Sequence, residues 1–159
     1  KVHKVYKVMH TPVLLTQVIE ALEIVKDGLY IDATFGEGGY SQAIIQNGGK
    51  VLALDLDKDQ IVNCLDSRLR GNDIVLVEGN FGDIEKIAQD NNFFPVDGVV
   101  FDLGLSMKQI SQSGRGFSFK KLNEPLDMRM SLNSEMTAKY LLNHLSVSEL
   151  YDVFARNSE

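Results

Sequence analysis

The sequence predicts an α/β protein built on a parallel, doubly wound sheet of about four strands. Short apolar runs alternate with segments of helical period up to residue 103. A glycine-rich turn joins the first run to a helix, and carboxylates close the first, second and fourth runs. That order, with right-handed crossovers, is the pattern of a sheet covered by helices on both faces.

In chain order, Thr11 and Pro12 are expected to cap and open a helix whose buried face carries Leu14, Leu15, Val18, Ile19 and Leu22. Asp27-Gly28 turns into the first strand, Leu29 to Ala33. Gly36, Gly38 and Gly39 form a turn in which no Cβ blocks the approach of a ligand to the backbone. A helix follows from Tyr40 to Gln46, ended by Gly48-Gly49. The second strand, Lys50 to Asp55, ends on an acid about 20 residues past the glycine turn, where a carboxylate can accept hydrogen bonds from ribose hydroxyls. Turn and acid together point to an adenosine-containing cofactor. The competing reading is a tight βα turn beside a solvated strand end.

Asp57 is expected to cap a helix through Leu69, with Ile61, Leu65 and Leu69 on one face. Ile74 to Glu78 is the third strand, Gly79 to Gly82 a loop, and Asp83 to about Asp90 a helix packing through Ile84, Ile87 and Ala88. Asp97 to Leu103 is the fourth strand, apolar enough to be buried on both faces. Residues 104–136 show little regular period. Thr137 to Leu145 reads as a helix, and Ser146-Val-Ser-Glu149 is a capping-box start for another. A sheet that stops at four strands leaves an apolar edge, which predicts a continuation of the chain, a homo-oligomer or a second polypeptide over it.

The chain has 159 residues, a formal charge of −6, three histidines and a single cysteine. Cys64 can form no internal disulfide and reads as a small semi-buried side chain. His3, His10 and His144 do not cluster with it, so no metal site is predicted. No apolar run approaches the roughly 20 residues of a membrane span, and a cytoplasmic location without membrane contact is expected. Residues 1–8 alternate Lys and Val before Met9 and read as a tail preceding the natural start.

Several segments occur together: His10-Thr-Pro-Val-Leu-Leu15, Asp32-Ala-Thr-Phe-Gly-Glu-Gly-Gly-Tyr-Ser41, Asp97-Gly-Val-Val-Phe-Asp-Leu-Gly-Leu-Ser106, Arg115-Gly-Phe-Ser-Phe119 and Pro125-Leu-Asp-Met-Arg-Met130. In that order they closely resemble the ribosomal RNA small subunit methyltransferase H family, also called MraW. The likeness spans residues 10–130 but only about the N-terminal half of a family member.

The resemblance implies a Rossmann-like, S-adenosylmethionine-dependent fold, here incomplete, that methylates N4 of a cytidine in small-subunit (16S) ribosomal RNA. It divides the chain into a cofactor-binding half at 9–105, a motif-rich loop at 106–136 and the start of a helical insert domain at 137–159. It puts Gly38, Gly39, Tyr40, Asp55, Phe81, Asp102 and Gln109 on the cofactor and implies the ribosomal subunit as partner. Tyr40 stands where many members have His, Met107 and Ser111 replace a Ser and an Asp, and Asn157-Ser158-Glu159 replaces Tyr-Gly-Glu.

Asp102, beside the topological switch point, is placed either to accept an amine hydrogen of the target cytosine or to bind the cofactor. Phe117 and Phe119 either hold an unstacked base or, more simply, anchor a long loop to the core. From Ser106 to Ser131, Lys108, Arg115, Lys120, Lys121 and Arg129 outnumber Glu124 and Asp127. That local positive charge suits phosphates, with Arg115 and Arg129, inside the family motifs, expected in an RNA-contacting or structural role. Two other readings stand beside this one: a non-catalytic remnant of the enzyme with a partial fold, and an NAD-dependent oxidoreductase. The second is weakened by Ser41 at the third glycine of the dinucleotide fingerprint.

Overall fold

The computed structural model describes residues 12–65 and 72–157. The chain divides into two compact units, the second beginning at Leu105.

The first unit is an α/β layer structure. Helix α1 (Leu15–Ala21) precedes β1 (Leu29–Asp32), α2 (Gly39–Gln46), β2 (Lys50–Asp55), α3 (Lys58–Leu65), β3 (Ile74–Glu78), α4 (Ile84–Asp90) and β4 (Gly98–Val100). The sheet is parallel throughout, in the order β3-β2-β1-β4. The order reverses between β1 and β4, the place where an open α/β sheet opens a crevice at its C-terminal edge.

The central strands explain the uninterrupted apolar runs. Beyond their first residues, β1 and β2 are buried along their whole length, because helices cover both faces. On one face Tyr30, Phe35, Tyr40, Ile44, Val51, Ala53, Ile61 and Val100 form a cluster against which α1 packs Leu15, Val18, Ile19 and Leu22. On the other, Ile31, Ala33, Leu52 and Leu54 meet Ala88 of α4 and Phe93. Truncating the fully buried Leu52 to alanine would cost about 2–5 kcal/mol.

Tyr30 fixes how closely the strands approach. Its ring is 1% exposed, and its hydroxyl accepts a hydrogen bond from the Val25 amide at 2.9 Å. A Cβ on Gly49 would lie 2.9 Å from the ring, one on Gly28 3.0 Å and one on Gly98 3.1 Å. Aliphatic carbons stand closer still, Val25 Cγ2 at 2.7 Å from the Gly28 position, Ile44 Cγ2 at 2.8 Å from Gly49 and Leu22 Cδ2 at 2.8 Å from Gly98, so ring and aliphatic neighbours together leave these positions little space.

Four expectations need correction. Helix α1 starts at Leu15, not near Pro12; Leu14 takes a left-handed conformation (φ 51°) as its N-cap and is 62% exposed rather than on the buried face. Thr11 lies outside the described residues, as do Leu69 and residues 1–10.

The fourth strand is shorter than predicted and is not buried on both faces: Val100 is 6% exposed, but Val99 is 38% and Phe101 50%. Strand β4 is an edge strand, and α4 packs on the β1–β3 part of that face. The loop after Asn80 contains a 3-10 turn, Phe81–Asp83, capped where the Gly82 amide donates to Asn80 Oδ1 at 2.9 Å.

The fourth correction lies in the second unit, which holds α5 (Met107–Gln112), α6 (Ala138–His144) and α7 (Val147–Asn157). Helix α5 was not foreseen. Ser106 Oγ accepts the Gln109 amide at 3.1 Å and Gln109 Oε1 accepts the Ser106 amide at 2.9 Å, a complete capping box. The predicted box at Ser146 is present, with Glu149 Oε2 accepting the Ser146 amide at 2.8 Å. Thr137 caps α6 through the Tyr140 amide.

Candidate functional site

The site forms where β1 ends. After Asp32 the chain is pinned to both neighbours: the Ala33 amide donates to the Val100 carbonyl at 2.9 Å and the Phe35 amide to the Leu54 carbonyl at 2.8 Å. Gly36 (φ 52°) and Gly38 (φ 78°) then turn the backbone through the left-handed region into α2, where any other residue would be strained. A Cβ on Gly36 would meet nothing nearer than the Thr34 carbonyl oxygen at 3.9 Å. That side of the turn is open.

Asp55 closes the turn from the end of β2. Its Oδ2 accepts the Gly36 amide at 2.8 Å and its Oδ1 the Asp57 amide at 2.8 Å. The side chain is largely buried, and burial raises its pKa against those hydrogen bonds. Each carboxylate oxygen has two lone pairs, so acceptor capacity remains beyond these bonds.

Behind the turn, Asp32 is wholly buried. Its Oδ2 accepts the Ser41 hydroxyl at 2.6 Å and the Ser41 amide at 3.2 Å, while Oδ1 has no hydrogen-bond partner. Burial pushes its pKa up to about 6, against the lowering effect of the Ser41 hydroxyl and of the Thr34 and Ser41 amides. The first turn of α2 is thus already occupied by a carboxylate, a poor seat for a ligand phosphate.

Tyr40 is buried, and its hydroxyl donates to the Val13 carbonyl. Burial first, and then the neighbouring Asp102 carboxylate, raises its pKa. Asp102 itself is exposed, and its amide donates to Thr34 Oγ1 at 2.7 Å. Phe81 and Phe101 meet edge to face, with ring centroids 5.7 Å apart and planes at 89°.

Of the sequence-predicted residues, Gly36, Gly38, Gly39, Tyr40, Asp55, Phe81 and Asp102 belong to the first unit and follow or end its strands at the C-terminal edge. Gln109 belongs to the second unit, is 5% exposed and spends its side-chain oxygen on the α5 capping box. Arg115 is buried, with Nη1 donating to the Arg129 carbonyl at 3.0 Å and the Met130 carbonyl at 2.8 Å. Arg129 grips Asp127 through two 2.8 Å hydrogen bonds and holds the Asp127 pKa down to about 2. Both arginines organise the 115–134 segment. Phe117 is half-buried, whereas Phe119 is 87% exposed and does not serve as the loop anchor expected of it. Sequence reasoning missed Asp32, Ser41 and Phe101, although a carboxylate in an otherwise apolar strand was a signal for the first.

Glycine turn, strand-end acid and switch point together define a Rossmann-like α/β protein. A model of the MraW methylase family matches residues 7–159, and the chain belongs to that family. It is 38% identical over 154 residues to the ribosomal RNA small subunit methyltransferase H of Ureaplasma urealyticum serovar 10, covering 94% of this chain and 49% of that protein. Its likeness to the Dehalococcoides mccartyi protein of the same name is 39% over 155 residues, covering 94% and 44%. With that of Thermomicrobium roseum it is 42% over 155 residues, covering 94% and 47%. The chain therefore spans about half the length of the curated relatives it matches. Among the described residues, no helix is long and apolar enough to cross a membrane.

Proposed function

We propose that this chain carries the S-adenosylmethionine site of a methyltransferase that modifies N4 of a cytidine in small-subunit ribosomal RNA. The observation that carries the cofactor part is the tie between Asp55 and Gly36, which holds an open glycine turn against an acid with spare acceptor capacity. The residues present fit that cofactor. The space beside Gly36 is what a Cβ would fill, and carboxylates at 55 and 102 suit a cation bearing ribose hydroxyls. They disfavour the pyrophosphate of NAD, since Asp32 already holds the α2 amide that would bind it.

When bound, S-adenosylmethionine supplies an electrophilic methyl group on a sulfonium. The chain's own residues orient and desolvate. Gly36 and Gly38 allow close backbone approach, and Asp55 accepts from ribose hydroxyls. Gly39 opens α2, and Tyr40 closes the floor beneath the turn. The lone pair of a cytosine N4 is delocalised into its ring, and a carboxylate accepting an amine hydrogen localises it. Asp102, exposed at the switch point, is the group available for that role. Alignment of this kind is worth several kcal/mol of barrier, roughly 7–11 at its best.

RNA contact falls to the loop after Arg115, with a division of labour. Arg115 and Arg129 shape the loop from within, while Phe119 and the exposed Lys120 offer an aromatic face and a cation to an unstacked base and its phosphate. Gln109, buried at the base of α5, supports the start of this segment.

The test is calorimetric titration of the folded chain with S-adenosylhomocysteine, followed by methyl transfer to immature and mature small subunits. Saturable micromolar binding is expected. A folded protein that binds none at millimolar ligand refutes the cofactor reading. Binding without transfer to either subunit makes this chain the cofactor half alone and refutes the activity.

A further inference from the structure

We propose that Phe101 forms, with Phe81, the two aromatic walls of the subsite for the cofactor's purine. This rests on the reading of the crevice as an S-adenosylmethionine site.

The geometry begins with the sheet order. Phe81 follows β3 and Phe101 follows β4, and these strands are the opposite edges of the sheet. Strands lie about 4.8 Å apart, so the two edges are separated by roughly 14 Å. A centroid distance of 5.7 Å therefore requires these rings, with the short segments that carry them past the strand ends, to come inward from both edges toward β2 and β1. The ends of those two strands carry Asp55 and the glycine turn. The aromatic pair thus bridges segments that follow the two edge strands of the sheet.

Neither ring belongs to the core, since Phe81 is 44% and Phe101 50% exposed. An apolar pair left half in water past the C-terminal ends of two strands is suited to a flat heteroaromatic ring.

The backbones beneath both rings are fixed. On either side of Phe101, the Val100 carbonyl accepts from Ala33 at 2.9 Å and the Asp102 amide donates to Thr34 Oγ1 at 2.7 Å. Its Cα is thus tied to the segment that leads into the glycine turn. Phe81 starts the turn that Asn80 caps. What remains free is side-chain torsion.

A ring sandwiched between two others needs their centroids roughly 7 Å apart, twice a stacking distance of about 3.5 Å. The observed contact is too short and perpendicular. A purine must part the rings or stack on the outer face of one, and Phe101 then sets the fit at the base as Asp55 does at the ribose.

The chain contains no tryptophan and five tyrosines, so Phe101→Trp places the sole tryptophan, excited at wavelengths where tyrosine does not absorb, at the proposed wall. Calorimetry on the unaltered chain with S-adenosylhomocysteine comes first and tests the cofactor reading by itself; no binding there overturns that reading and this inference with it. Given binding, Phe101→Ala is expected to weaken S-adenosylhomocysteine and adenosine alike by tenfold or more, with Phe101→Leu between it and the unaltered chain. Phe101→Trp should show a saturable emission change with the calorimetric affinity. Unchanged affinity in a folded Phe101→Ala protein overturns the proposal while leaving the cofactor reading intact. If Phe101→Ala fails to fold, the tryptophan decides: emission indifferent to a ligand that calorimetry shows bound overturns it equally.

Discussion

Asp32 and Ser41 are joined twice within the protein: one carboxylate oxygen of Asp32 accepts both the serine hydroxyl, at 2.6 Å, and the serine amide, at 3.2 Å. The pair ties the end of β1 to the first turn of α2 across the glycine turn. Replacing Ser41 by alanine removes the hydroxyl from a fully buried carboxylate and should cost about 1–3 kcal/mol at pH 7.5, read from urea denaturation. A Ser41→Ala protein as stable as the original would show that the bond contributes nothing.

The same carboxyl makes stability depend on pH. Its native pKa of about 6 lies above its ordinary 3.8. Between these values the folded state keeps a proton that the unfolded chain has lost, so this group's contribution falls as pH rises from about 4 through 6 and then levels. Asp32→Asn has no such proton. Its stability relative to the unaltered chain should therefore improve between pH 4.5 and 7, and parallel pH profiles would refute the assignment.

Asp55→Ala removes the partner of the Gly36 and Asp57 amides together. Affinity for S-adenosylhomocysteine should fall by well over tenfold, because the turn geometry and the proposed ribose contact are lost together. Calorimetry at matched protein stability gives the number. Unchanged affinity would move the ribose elsewhere.

Gly36→Ala tests the turn from the other side. The left-handed φ costs a non-glycine residue about 1 kcal/mol, so a modest loss of stability is expected. The new methyl group occupies the open side of the turn, and the loss of ligand affinity should be the larger effect. Equal, small losses in both would mean that no ligand approaches there.

Arg115→Ala strips two backbone carbonyls, at Arg129 and Met130, of a charged donor. Amide hydrogen exchange should accelerate across 115–134 while the amides of β1 and β2 stay protected. Exchange that rises uniformly through both units would contradict a local role.

The alternation of elements and the glycine turn were legible because each follows from local chemistry: apolar runs make buried strands, and a left-handed turn wants glycine. Other features depend on what lies far along the chain. The Val99–Phe101 run reads the same whether its outer face is covered or bare, and only the sheet order exposes it. Nothing near Arg115 in sequence announces that its guanidinium faces carbonyls beyond the next loop. Leu14 obeys the helical period yet sits outside the helix, since period alone does not mark where a helix begins. Helix α5 could have been found: Ser106 and Gln109 have capping-box spacing, but the helix is too short to show an apolar period.

The packing around Tyr30 bears on how this chain can change over time. Gly28 and Gly49 face one edge of the ring and Gly98 the other, and a methyl group at each would also meet an aliphatic side chain: Val25, Ile44 or Leu22 respectively. Loss of the tyrosine would leave a hole that those same methyl groups could partly fill. These four positions and Val25, Ile44 and Leu22 should behave as an epistatic set, each glycine change harmful alone and relieved only when both its aromatic and its aliphatic neighbour give way. Among homologous sequences, a side chain at one of the three glycine positions should appear chiefly where both the aromatic ring and that glycine's aliphatic neighbour have become smaller.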